Sequence, residues 1–345
     1  MTADGQGKGL PLVIWGAGAM GGSIGAALVR GGVDVLFVDK VQDHVRAMNE
    51  NGLRIRGPID ESTTSVQATV PSSLRGRFPL IFLCVKAHHT GEALSQLEPH
   101  LAEEGAVVSI QNGLCELEIA ETVGAERTVG AFVNFGADYL EPGVIHRGNR
   151  GATVVGEISG AVTDRARGIH GLLLHFEPRA LLTENIFGFL WGKLAYAALL
   201  FATALTDDSI ADVLAAREFR PILVSLAQEV VAVARAKGVS LEAFDGFDPG
   251  AFQPGVPAHL PESSLDDLVS FNRASAKTHS GIWRDLAVRK RPTEVDAQLG
   301  WVVRIGREMG VRTPLTTAVI RQIHQIEAGE RSQSWGNLKE LGALS

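Results

Sequence analysis

Lys193 is the single charged residue between positions 186 and 206 (IFGFLWGKLAYAALLFATALT), the most apolar stretch of the chain. An ammonium in such surroundings is either compensated by a partner or pushed toward its neutral form, and both outcomes suit a group that transfers protons. The plain alternative is a lysine lying along an apolar helix with its head in water. A second chemical signal lies near the other end. The apolar run Leu12–Trp15 enters Gly16-Ala17-Gly18-Ala19-Met20-Gly21, and a helical pattern opens behind it with Gly22, Ser23 and Gly25. In such a turn the first glycine permits the tight bend, the second lets backbone approach a pyrophosphate, and the third lets helix and strand pack closely. The helix start adds unpaired N–H groups and a positive dipole. Gly16, Gly18, Ala19, Met20 and Gly21 are therefore expected to cradle a dinucleotide.

The next apolar run, Val35–Val38, ends in Asp39. A carboxylate about 20 residues beyond the glycines accepts from a ribose 2′-hydroxyl and so favours NAD. Lys40 follows at once and would attract the 2′-phosphate of NADP, so both cofactors stay open with NAD ahead. Glycine turns also occur in methyltransferases and as plain structure. Here strand, turn, helix and acid stand in the order a dinucleotide site requires.

These residues need a scaffold to hold them. In the first third, β-rich runs at 12–15, 35–38, 80–85 and 106–110 alternate with helical patterns at 23–30, 43–49 and 91–101. That alternation predicts an α/β domain with a parallel sheet and helices on both faces. Runs at 129–135 and 152–155 extend the sheet, with 143–147 as a companion. Beyond about Thr163 helical patterns take over, at 165–176, 186–205, 219–237, 264–276, 294–309 and 315–328. Thr313-Pro314 reads as a helix cap followed by proline in the first turn, and Thr293 with Asp296 resembles a capping box. Residues 245–261 (DGFDPGAFQPGVPAHLP) are too rich in Gly and Pro for a long helix and read as a surface excursion or lid.

Composition narrows the classes. With 345 residues, 45% hydrophobic and 21% charged, the chain is long enough for two domains. Its net charge of −7 is spread over dispersed acids, which leaves no basic footprint for nucleic acid or an anionic membrane. Cys84 and Cys115 have no metal-like or paired spacing, which fits a reducing cytosol. The N-terminus lacks the positive segment of a signal peptide. Residues 186–206 approach the length of a membrane span, but Lys193 near the middle argues for a buried helix of a soluble protein. His88-His89 and His279 invite a general acid or a metal pair; without a third ligand at defined spacing, no metal is predicted.

Four further segments carry a resemblance. Val85-Lys86-Ala87, Gln111-Asn112-Gly113, Leu190-Trp191-Gly192-Lys193-Leu194 and Thr293-Glu294-Val295-Asp296 occur in the order and approximate spacing seen in ketopantoate reductases. The chain resembles that family from about Leu12 to Ala328. The resemblance implies a Rossmann dinucleotide-binding domain (residues 1–180) followed by a mostly α-helical substrate and dimerisation domain (residues 181–330). Residues 331–345 would be a polar, poorly ordered tail. It also implies that Lys193 is the general acid, that Glu294 orients it or binds substrate, and that Asn112 sits near the nicotinamide ribose and the lysine. Lys86 would line the cofactor side, and Ser280 would be a substrate-binding serine. The nicotinamide would lie at the carboxyl ends of the strands, in a cleft between the domains. A homodimer is the implied assembly. Each residue also has a plainer reading: Asn112-Gly113 is an ordinary turn pair, Glu294 suits any helix start, and Lys86 suits a solvated strand end.

The chain departs from the family in one place. The family's lysine helix carries asparagines four and eight residues further on, where this chain has Ala197 and Phe201. Positions four apart lie nearly above one another on a helix, so the expected substrate-facing stripe is apolar. A missing hydrogen-bond partner costs about 1 to 3 kcal/mol per buried group, which detaches the chain from ketopantoate as a substrate. Among Arg284, Arg289, Lys290 and Arg291, Arg284 is the first choice to hold a substrate carboxylate, although such a charge run also suits a solvated face. The expected function is a cytoplasmic NAD(P)-dependent oxidoreductase reducing a 2-oxo acid. The alternatives are a hydroxyacid or sugar-acid dehydrogenase working oxidatively, and a non-catalytic dinucleotide sensor.

Overall fold

The computed structural model describes residues 10–274 and 278–344. The first nine residues of the expected dinucleotide domain and the last two of the helix expected at 264–276 lie outside them. The chain divides into two compact units, one running to Gln111 and resuming over Cys115–Ile186, the other made of Asn112–Leu114 and the chain from Phe187 onward.

The first unit opens with β1 (Leu12–Trp15), α1 (Ala19–Arg30), β2 (Val35–Val38), α2 (Gln42–Asn51), β3 (Leu53–Arg56), β4 (Ser62–Thr64) and β5 (Gln67–Thr69). It continues with β6 (Phe78–Leu83), α3 (Thr90–Leu97), β7 (Leu101–Ser109), α4 (Cys115–Val123) and β8 (Thr128–Val133). It closes with β9 (Ala137–Glu141), β10 (Val144–Arg147), β11 (Thr153–Glu157), α5 (Asp164–Leu173) and β12 (Leu181–Leu182). Eight strands form one sheet in the order β12-β11-β8-β7-β6-β1-β2-β5. Every residue of β1 is buried, as expected for a central parallel strand covered on both faces.

Three expectations need correction. The strands read in the first third, β1, β2, β6 and β7, pair in parallel as expected, but the extended sheet is mixed, because β11 runs antiparallel to β8. The chain between those strands carries β9 and β10 instead of a crossover helix, so it returns in the opposite direction. The helix expected over 91–101 stops at Leu97, and Leu101 already opens β7. Pro99 in the intervening turn lacks the N–H that a longer helix would need. A second sheet, ordered β4-β3-β10-β9, was also invisible apart from β10, since its strands are short and half exposed.

The second unit is helical: α6 (Ile186–Thr203, its first residue counted with the first unit), α7 (Ile210–Ala215), α8 (Arg220–Ala236), α9 (His259–Ala274), α10 (Gly281–Ala287), α11 (Val295–Glu308), α12 (Pro314–Glu327) and α13 (Trp335–Gly342). By length and composition α6 would cross a membrane, but it is 78% buried in the protein, as a core helix is. Thr313 and Pro314 do start α12, yet the Thr313 side chain caps nothing. Its place is taken by Glu229 of α8, whose carboxylate accepts from the N–H groups of Leu315 (2.9 Å) and Thr316 (2.8 Å). The capping box at Thr293 does not form either: the Thr293 hydroxyl donates to Glu327, and Asp296 pairs with His324.

The excursion at 245–261 does run over the surface, with Pro254, Gly255 and residues 257–260 exposed, but it is anchored by aromatic rings. Phe247 and Phe252 are buried, and the rings of Phe244 and Phe247 pack against Tyr196 of α6. The tail beyond Gly329 folds as α13, with Leu338 and Leu341 fully buried and Trp335 stacked on Phe219. Its apolar residues recur at steps of three, which a reading of average polarity hides.

Candidate active site

The glycine turn follows β1 as its spacing predicts. Gly16 has φ of 98°, and a Cβ there would sit 2.9 Å from the backbone nitrogen of Val85, so no larger residue fits. Gly18 differs: a Cβ on it would meet no protein atom within 4 Å. Protein packing therefore does not require glycine at 18, and the space beside its backbone is open. Gly18 is also the N-cap of α1 and has no side chain with which to cap it, and the backbone N–H groups and dipole of such a helix start suit an anion. Ala19 and Met20 form the first helical residues above it.

Asp39, at the end of β2, accepts from the Ala17 N–H through Oδ2 (2.8 Å) and from the Val41 N–H through Oδ1 (2.9 Å). Its carboxylate thus fixes the turn, and each oxygen retains a lone pair. Lys40 is exposed and lies 3.6 Å from Glu92. Lys86 is half-buried in the turn after β6. Burial pushes the Cys84 thiol up, away from thiolate chemistry. His88 is exposed, while His89 faces Glu92 at 3.7 Å. Among the described residues no three His, Cys, Asp or Glu side chains gather as metal ligands.

In the second unit the lysine meets Asn112, and Asn112 in turn meets Glu294. The Lys193 ammonium donates to the Asn112 side-chain oxygen at 2.9 Å, and the Asn112 amide nitrogen donates to Glu294 at 3.5 Å. One amide thus links an ammonium to a carboxylate. Lys193 is half-buried. Glu294 is the N-cap residue of α11, where the helix dipole favours its charge. The neighbouring Gly192 is demanded by packing, because a Cβ there would lie 2.7 Å from the Glu242 carbonyl oxygen. Gln111, just before Asn112 in the chain, donates to the Val85 carbonyl (3.1 Å) and the Thr90 hydroxyl (2.8 Å).

The other candidates separate. Ala197 is 7% exposed and Phe201 fully buried, so the second position belongs to the core. Tyr196, beside them, has its phenol pKa raised by burial, opposed by a hydrogen bond with Asn272. Ser280 is buried as the N-cap of α10, its hydroxyl accepting from the Trp283 N–H at 3.1 Å. Arg284 is half-buried on α10. Arg289 and Arg291 both reach the buried carboxylate of Asp285 at 2.9 Å, so they serve local structure. Asp285 carried no sequence signal beyond being an acid four and six residues before these arginines.

An α/β unit with this turn fits a dinucleotide-binding domain, and together with the chain's relatives the class is the NAD(P)-dependent oxidoreductases. Residues 12–160 match the family described as ketopantoate reductase PanE/ApbA, and residues 185–327 match its C-terminal counterpart. The chain belongs to the ketopantoate reductase family. The 2-dehydropantoate 2-reductase of Streptococcus pyogenes serotype M1 is 25% identical over 317 residues, spanning 91% of this chain and 97% of that protein. Among solved structures, a ketopantoate reductase from Ralstonia eutropha JMP134 is 25% identical, with a TM-score of 0.76 over 94% of this chain and 100% of that one. A D-mandelate dehydrogenase in complex with NADH and anilino(oxo)acetate shares the fold at a TM-score of 0.80, with 21% identity over 93% of this chain and 99% of that one.

Proposed function

We propose that this enzyme reduces the carbonyl of a 2-oxo acid with Lys193 as general acid. The observation that carries the reading is the hydrogen-bonded chain from Lys193 through Asn112 to Glu294. When bound, the nicotinamide cofactor supplies the hydride. Lys193 delivers a proton to the carbonyl oxygen, Asn112 holds the ammonium in place, and Glu294 stabilises its charge and sets its orientation. Arg284 is the candidate to hold the substrate carboxylate, with Ser280 as a polar contact from the same helix start. Lys86 serves the cofactor side of the reaction.

Asp39 supports NAD over NADP. Its carboxylate is pinned to the glycine turn, where a second negative charge would be repelled, and Lys40 is engaged with Glu92. The helical unit is the proposed dimerisation surface, and sedimentation of the purified chain tests it.

A second reading has the same machinery running oxidatively on a 2-hydroxy acid, with Lys193 as base. It draws support from the apolar Ala197 one turn after Lys193 and from the D-mandelate dehydrogenase that shares the fold. Steady-state assays in both directions against 2-oxo and 2-hydroxy acids of graded side-chain polarity separate the two. Reduction of a 2-oxo acid at least ten times more efficient, by kcat/KM, than oxidation of its alcohol at neutral pH supports the first. Binding of NADH without turnover of any carbonyl or alcohol would sink both and leave a dinucleotide sensor.

A further inference from the structure

His44, on α2, is 1% exposed, and both of its ring nitrogens are engaged inside the first unit. The Gly143 N–H donates to Nδ1 at 2.9 Å, and Nε2 lies 2.9 Å from the Ala17 carbonyl oxygen. A ring that accepts at Nδ1 and faces a carbonyl at Nε2 carries its proton on Nε2, so His44 is a neutral imidazole donating to Ala17. The edge-on ring of Tyr139, its centroid 5.1 Å away, also packs against the imidazole.

Ala17 is the middle residue of the glycine turn, and both its backbone groups are gripped. Its N–H donates to Asp39 and its C=O accepts from His44. Peptide planarity turns these two bonds into a clamp on the turn. The Ala17 carbonyl and the Gly18 N–H belong to one rigid plane and point in opposite directions, so holding the oxygen sets the aim of that N–H. The Ala17 N–H shares the preceding plane with the Gly16 carbonyl, and Asp39 holds that one. Gly22 leaves room for the arrangement, since a Cβ there would lie 2.8 Å from the Ala17 oxygen. The second plane ends at Gly18, over which no protein atom would meet a Cβ. Glycine-flanked peptide planes rotate freely unless held, and a donor aimed in advance avoids the ordering cost on binding.

We propose that His44 is a positioning residue for the cofactor, presetting the Gly18 N–H toward the pyrophosphate of a dinucleotide by holding the Ala17 carbonyl. This rests on the reading of the turn as the dinucleotide site. The test uses the full chain and its H44Q, H44N and H44A variants, with NADH affinity measured by fluorescence titration and stability by thermal melting. Gln places an amide nitrogen near the position of Nε2 and keeps the donor to Ala17; Asn places an oxygen near Nδ1 and keeps only the acceptor for Gly143. The expected result is NADH binding weakened about tenfold in H44N and H44A and by less than about threefold in H44Q, as for the loss or retention of one buried hydrogen bond. H44N and H44Q would melt at similar temperatures. Binding by H44N as tight as by the wild type, or losses of affinity that merely follow melting temperature across the variants, would overturn the proposal. A wild-type chain that bound neither NADH nor NADPH would overturn it together with the dinucleotide reading, whereas a binding wild type with an undiminished H44A would overturn it alone.

Discussion

The side-chain amide of Asn112 accepts from the Lys193 ammonium at 2.9 Å, although the two residues stand 81 positions apart in the chain. The same amide turns its nitrogen toward Glu294. A lysine with an acceptor and a carboxylate on one side has a fixed aim, which a lysine reaching for bulk water lacks.

Replacing Lys193 by Ala is expected to leave NADH affinity within about twofold and to lower kcat at least a hundredfold, the usual range for loss of a positioned general acid. Titration of the cofactor and steady-state turnover measure the two separately. Near-normal turnover would remove the lysine from the mechanism.

Asp39 gives a cofactor prediction. The wild type should show a higher kcat/KM with NADH than with NADPH. Asp39→Asn keeps one acceptor for the turn but removes the charge that repels a 2′-phosphate, and is expected to narrow the preference about tenfold. An unchanged ratio would mean that another residue reads the ribose.

Gly192→Ala should destabilise the protein even though alanine is the better helix former by about 1 kcal/mol. The new Cβ would press on the Glu242 carbonyl oxygen, now 2.7 Å from its position, and overpacking of this kind costs about 1 to 3 kcal/mol. Urea unfolding measures the balance, and a gain in stability would contradict the close approach.

Hydrogen bonding to Arg220 holds the Asp266 carboxyl below its ordinary value of 3.8. The folded state therefore binds this proton less readily than the unfolded chain. The contribution to stability is complete above that ordinary value and fades as pH falls through the lower, folded one. Asp266→Asn should consequently melt below the wild type by a constant margin from pH 5 to 8, and the margin should close in stronger acid. A margin that persisted at the lowest pH would assign the effect to something other than this ion pair.

Glycines, strands and motifs were readable because each states its requirement locally. The turn at Gly16 to Gly21 needs only backbone freedom and a following helix, and α6 announces itself by sheer apolarity. What stayed hidden depends on partners distant in sequence. Glu229 caps α12 from α8, 86 positions before Leu315, and left Thr313 without the role its place suggested. Phe244, Phe247 and Phe252 anchor a stretch whose glycines and prolines spoke only of turns. Leu338 and Leu341 were lost in a polar average, and nothing in the helical pattern at 43–49 marks out His44, whose ring nitrogens meet Ala17 and Gly143.

The grouping of Asn112–Leu114 with the helical unit constrains how this protein can be recombined. A gene fusion joined at residue 186 would transplant the lysine and the glutamate but inherit whatever residue the donor carries at the end of its fifth core strand. Such chimeras would be active only when that donor supplies an amide there. On the proposed roles of these residues, substrate specificity and hydride chemistry would not exchange as two independent modules, despite a chain that looks cleanly bipartite.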